Sequence, residues 1–202
     1  MQAASINLSR RDAFRLFGAA AATTALATTA ARAQDAAPKL KGRIRQSVTG
    51  WPLGKIPADE LCRQLKEIGL VGLDLVGNRS IWPVLKEHGL AATMVPGAGS
   101  IKDGLNNTAK HPEFLKQFRE NIAAAAQFGW KRVITMAGDR KGISDADGLA
   151  ACVPVLKEAV KIAADHDVTI CMELLNSKVD HPGYMCDHTA WGVELCKRVA
   201  SP

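Results

Sequence analysis

Glu173 interrupts an otherwise apolar run, Thr169-Ile170-Cys171-Met172-Glu173-Leu174-Leu175, near its carboxyl end. A lone carboxylate in such a run costs free energy unless an ion pair, a metal or a tuned proton equilibrium offsets it. The first of these is purely structural. The other two make Glu173 a candidate metal ligand and acid/base. The segment that follows, Asn176 to Thr189, holds two histidines, two aspartates, a cysteine and the chain's one tyrosine. A polar loop this dense in donors, directly after a strand, is where binding groups concentrate. Asn176 and His188 are the candidate substrate contacts, and His181 is a further donor. Other polar residues fall at or near strand ends: Thr49 and Trp51, then Asp74, Asn78 and Arg79, then Asp139 and Arg140. The histidines lack the H-E-x-x-H spacing of a zinc peptidase helix. The five cysteines include no C-x-x-C, and their odd number excludes full pairing within one chain. Buried free thiols are the expectation.

Such a site needs elements to position it, and the chain alternates strand and helix. Strands are expected at Arg43–Val48, Val71–Val76, Leu90–Val95, Arg132–Met136 and Val168–Leu174. Helices are expected at Pro57–Ile68, Ile81–His88, Pro112–Phe128, Ser144 to about Asp165, and Thr189–Val199. Gly69, Gly89 and Gly129 are their stop signals, and Thr189 or Asp187 is the expected cap of the last helix. Strands two to five are short apolar runs, as in parallel sheets covered on both faces. Five β-then-α units fit either a doubly wound sheet or part of a (β/α)8 barrel. No G-x-G-x-x-G and no G-x-x-x-x-G-K-[ST] occurs, so a nucleotide fold has no positive signal. Gly97-Ala98-Gly99-Ser100 reads as a plain turn.

The first 33 residues read as an address. Arg10-Arg11 precede a weakly apolar, Ala-rich run that ends in Ala31-Arg32-Ala33. This order resembles a twin-arginine (Tat) export signal, with cleavage before Gln34 and a periplasmic destination. Residues 34–41 form a polar lead-in, and 42–202 the incomplete barrel domain. The composition, 47% hydrophobic and 23% charged, is that of an ordinary globular chain, not a disordered one. The net charge of +6 misleads. Four arginines and one aspartate of the address account for half of it, and +3 remains on 169 residues. No basic run with interleaved aromatics is present, so nucleic acid is not an expected partner. No stretch is apolar for long enough to span a bilayer, and stable membrane insertion is not expected either.

The Glu-x-x-Asn pattern at strand five, then Asp180-His181-Pro182-Gly183-Tyr184 and Asp187-His188-Thr189, resembles hydroxypyruvate isomerase and the wider group of xylose-isomerase-like barrels. Gly72-Leu73-Asp74-Leu75-Val76, His88-Gly89-Leu90 and Trp130 to Gly138 are similar to the same group. The resemblance implies a parallel (β/α)8 TIM barrel, of which about five β/α units are present. It implies a divalent ion at the carboxyl-end mouth, Mg²⁺ or Mn²⁺ with Zn²⁺ or Co²⁺ as further options. It also implies a small sugar or keto-acid substrate. In such barrels the ligands are a glutamate after strand five, an aspartate after strand six, a His or Gln after strand seven and a glutamate after strand eight. Glu173 matches the first, in the roles of metal ligand and catalytic acid/base. The sequence stops at Ser201-Pro202, before the other three, so a fragment with little activity of its own is the expectation. Open strand edges admit pairing with a second copy as a homo-oligomer. Alternatives are a sugar epimerase of the same group and a non-catalytic periplasmic sugar-binding or accessory protein. A related endonuclease would need more metal ligands and a basic groove.

Overall fold

The structure, a computed structural model, describes residues 44–201. The Tat-like segment 1–33 and the lead-in 34–41 lie outside the described residues. Among the described residues six strands form: β1 (Ser47–Thr49), β2 (Gly72–Asp74), β3 (Ala91–Ala92), β4 (Val95–Ala98), β5 (Arg132–Thr135) and β6 (Thr169–Met172). Between them run α1 (Ala58–Ile68), α2 (Trp82–Glu87), α3 (His111–Phe128) and α4 (Asp145–Asp165), and α5 (Thr189–Val199) follows β6. Every ladder is parallel, in the order β1-β2-β3 and β4-β5-β6.

That order decides between the two architectures left open by the sequence. Strand positions follow chain order without reversal, which is the winding of a barrel. A doubly wound sheet would reverse at a switch point. The described residues thus form part of a parallel α/β barrel.

The third strand position differs from the expected single strand Leu90–Val95. It is divided: β3 pairs with β2, and β4 pairs with β5. The β4–β5 register shifts between Pro96 and Ala98, so Gly97 lies in a bulge rather than a turn. A Cβ at Gly97 would stand 2.6 Å from Ile134 O, which excludes other residues there. The bulge carbonyl accepts from Asn121 Nδ2 at 2.6 Å, and Thr135 Oγ1 donates to Ala98 O at 2.8 Å.

Helix ends follow the sequence signals with one exception. Gly69 and Gly129 take left-handed φ of 89° and 76°, closing α1 and α3. Ser144 caps α4, accepting from Asp147 N at 3.1 Å. The residue at the cap position of α5 is His188, with no side-chain bond, in place of Thr189 or Asp187. Strand residues Leu73, Val95 and Val133 join helix residues Leu61, Leu65, Phe118 and Ile122 in the core. Trp82 packs edge-on against Phe128 at 5.3 Å. Cys62, Cys152 and Cys186 are buried free thiols as expected; Cys171 is half-buried, and Cys196 is exposed on α5.

Gly72 is the tightest strand contact. A Cβ there would lie 1.9 Å from Ala91 O, within the β2–β3 ladder itself. Gly72→Ala must push backbone from backbone, and overpacking of this kind costs about 1–3 kcal/mol or more. A lowered urea midpoint at unchanged m-value is the expected result.

Candidate active site

Glu173 comes to the carboxyl end of β6 by extending its ladder one residue, its N–H donating to Thr135 O at 3.0 Å. It stands just past the strand rather than within it. Ile170 and Met172 face α4 and α5, so the alternating residues Cys171 and Glu173 turn to the opposite, inner face. Asp74 ends β2, opposite Thr49 in register. Burial, with the Asp74 charge adding to it, pushes the Glu173 carboxyl above its ordinary range. A carboxyl raised in this way exchanges protons nearer neutrality, which suits an acid/base.

Asp74 is held by its neighbours. Thr93 Oγ1 lies 2.7 Å from Asp74 Oδ1 and 3.1 Å from Ser47 Oγ. Thr49 Oγ1, beside this group in register, is buried without a hydrogen-bond partner among the described residues. Asp74, Trp51, Asn78 and Ser80 line a cleft of about 420 Å³ at the carboxyl ends of β1 and β2.

The loop after Glu173 is fastened to the preceding unit. Leu175 N donates to Cys186 O at 3.2 Å and closes its base. Met185 N donates to Gly138 O at 2.9 Å, and Arg140 N to Gly183 O at 2.8 Å. Tyr184 is fully buried. Its hydroxyl donates to Glu173 O at 3.0 Å and accepts from Ala137 N at 3.0 Å. One phenol thus ties the backbone of the key carboxylate to the end of β5. Burial pushes that phenol well above its ordinary range, so it stays protonated and keeps donating.

Arg140 clamps the same loop. Its guanidinium donates to Asp187 Oδ1 at 2.9 Å, Asp187 Oδ2 at 3.2 Å, Asp145 Oδ1 at 2.9 Å and the carbonyl of Tyr184. Burial alone would raise the Asp187 carboxyl. The hydrogen bonds from Arg140, Ser177 and His188, with the Arg140 charge, outweigh burial and hold it well below the usual carboxylate range.

The two candidate substrate contacts have definite places. Asn176 Oδ1 accepts from Lys178 N at 2.9 Å, and its Nδ2 donates to Asp180 Oδ2 at 3.2 Å, so its side chain shapes its own loop. His188 is 69% exposed, its Nδ1 on Asp187 Oδ1, which leaves Nε2 free toward solvent. Among the described residues no three His, Cys, Asp or Glu side chains come together as a metal cage. Glu173 fits as one oxygen ligand of a divalent ion, not as a site by itself.

Sequence reasoning gave Tyr184 no role, placed Arg140 only among the polar residues near strand ends, and read Asp187 only as a possible helix cap. The signals were present: a solitary tyrosine in a polar loop, and an arginine just past the end of β5. Tyr184→Phe leaves the Ala137 N–H and the Glu173 carbonyl buried and unpaired. The expected loss is about 2–4 kcal/mol, read as a fall of several degrees in thermal midpoint.

Comparison with known proteins follows the same geometry. The xylose isomerase-like TIM barrel model matches residues 44–202. A family 2 AP endonuclease from Brucella melitensis has a similar structure, with TM-score 0.68 and 21% identity over 78% of this chain and 65% of that one. A 3-keto-D-glucoside 4-epimerase from E. coli gives 0.55 and 22% over 70% and 59%. A D-psicose 3-epimerase gives 0.54 and 15% over 72% and 55%. The chain therefore spans under two thirds of the length of these barrels. A search of the curated proteins finds no match. The model match, the parallel strand order and the carboxylate at the fifth strand position agree, and the chain belongs to the xylose isomerase-like TIM barrel family.

Proposed function

We propose that this chain carries the first catalytic carboxylate of a metal-dependent isomerase that converts hydroxypyruvate to tartronate semialdehyde. The observation that carries the reading is Glu173: half-buried at a strand's carboxyl end, raised in proton affinity, and fixed through its own carbonyl by Tyr184. When bound, a divalent ion, Mg²⁺ or Mn²⁺ by the chemistry of oxygen ligands, would supply polarisation of the substrate carbonyl. Glu173 is the residue here that would contribute to holding it.

The chain's own chemistry is proton transfer. Glu173 takes a proton from C3 of hydroxypyruvate, giving an enediolate across C2 and C3. The C3 hydroxyl gives its proton to O2 and a proton returns to C2, which leaves the aldehyde at C3 and a hydroxyl at C2, so atoms and charge balance without a redox partner. Asn176 and His188 are the proposed substrate contacts. His188 Nε2 faces solvent as a donor or acceptor, and its Nδ1 is oriented by Asp187.

The same proton chemistry would serve epimerisation of a ketose, and the similar folds of sugar epimerases favour keeping that second reading. A substrate panel on the barrel complete through its eighth strand tests both. Turnover of hydroxypyruvate that needs Mn²⁺ supports the first reading. Turnover of ketoses alone replaces it with the second. Ligand-induced stabilisation without any turnover overturns both in favour of a binding protein. Export belongs to the same proposal. Amino-terminal sequencing of periplasmic protein should begin at Gln34, and a mature chain retaining Arg10-Arg11 would refute it.

A further inference from the structure

The opposite end of the strand layer holds a pocket that the proposed reaction does not use. Helices α1 and α3 end at Gly69 and Gly129, and α2 is followed by Gly89, with φ of 89°, 76° and 63°. These turns, with the amino ends of β2 and β3 and the residues before β5, enclose about 460 Å³. Arg45, Lys66 and Lys86 line this space, and no carboxylate does. None of the three makes a salt bridge among the described residues.

The lysines do more than offset their own helix ends. Lys66 lies in the last turn of α1, yet its Nζ stands 4.0 Å from where a Cβ on Gly89 would be. Lys86 lies in the last turn of α2, and its Nζ stands 3.8 Å from the corresponding point on Gly129. Each ammonium therefore reaches over the glycine turn of the next helix. Lys86 Nζ is also 5.5 Å from the ring centre of Trp130. Trp130 is part of the wall, 5% exposed, and its indole N–H has no acceptor among the described residues. A cation beside a helix carboxyl end needs no further explanation. Three exposed cations that share one concave surface and have no carboxylate partner among the described residues do, because they focus a positive potential that favours an anion there.

We propose that this basal pocket binds a small multivalent anion of the phosphate class. The two ammonium groups and the guanidinium fork supply the charge-assisted donors that such an anion takes. The site lies at the other end of the strands from Glu173, so it stands or falls independently of the isomerase reading.

The test is calorimetric titration of the whole chain with pyrophosphate at low ionic strength, and with inorganic phosphate in parallel. Saturable one-to-one binding of pyrophosphate, weakening as salt rises, is the expected result. The double variant Lys66→Gln, Lys86→Gln should weaken it by about tenfold or more. Arg45→Gln, which precedes β1 and leaves the helices intact, should weaken it by about threefold to fivefold and keeps the test open if the double variant fails to fold. Absence of saturable binding overturns the proposal. So does a double variant with a lowered thermal midpoint and unchanged pyrophosphate affinity, because the lysines would then only complement helix ends.

Discussion

On the proposed isomerase reading, Glu173→Gln is expected to abolish turnover in a barrel extended through an eighth strand, and to do so without destabilising the fold. The amide keeps the shape and removes the proton acceptor and an anionic ligand. Loss of a positioned acid/base alone slows proton transfer by about 10²–10⁴-fold. The stability side follows from the pKa direction. The Glu173 carboxyl is raised in the folded state by burial and by Asp74, so the folded chain binds its proton more tightly than the unfolded one. That contribution is present at low pH and is lost as pH rises through the folded value. At neutral pH the native glutamate is therefore a small burden, and the glutamine variant should equal or exceed the wild type in thermal midpoint. A purely structural salt-bridge role for Glu173 predicts the reverse pair of results, retained turnover and a lowered midpoint.

Arg140→Met is the largest expected stability loss. Its partner Asp187 has a side chain only 6% exposed, and the substitution leaves that charge without its bidentate cation. Breaking a buried pair from one side costs about 3–5 kcal/mol, a fall of about 10 °C in thermal midpoint for a domain of this size. The pH dependence weakens with it. In the wild type the Asp187 carboxyl is depressed, so its contribution is present above the ordinary carboxylate range and is lost as pH falls through the folded value. In Arg140→Met only the Ser177 and His188 hydrogen bonds still oppose burial, so the carboxyl rises from its wild-type position and the loss of stability on acidification should shrink. Thermal midpoints followed by circular dichroism from neutral to acidic pH measure both effects. Asp187→Asn in the Arg140→Met background should recover part of the loss, because no buried charge remains.

The helices and their ends were legible because their causes are local. Apolar residues at three-to-four spacing and a glycine just beyond α1 and α3 both act within a few residues. The alternation of units indicated a parallel α/β fold with two possible windings, the barrel was implied by the family resemblance, and the pairing order decided between them. The division of the third strand could not be read, because the bulge at Gly97 depends on Ile134 O, 37 residues away. Glu173 announced itself as a carboxylate in an apolar run. The residues that hold it did not, because Tyr184 meets Ala137 across 47 residues and Arg140 meets Asp187 across the same distance. Asn176 illustrates the converse. Its place in a Glu-x-x-Asn pattern suggested a substrate contact, and its observed partners are all within its own loop.

The central claim is that Glu173 moves the proton between C3 and C2 of hydroxypyruvate. Its most direct test is proton NMR of hydroxypyruvate in D2O with the complete barrel and Mn²⁺, comparing wild type with Glu173→Gln. The account predicts deuterium at C2 of the tartronate semialdehyde formed by the wild type, exchange at C3 of recovered hydroxypyruvate, and neither with the variant. Deuterium incorporation by Glu173→Gln at the wild-type rate would contradict it.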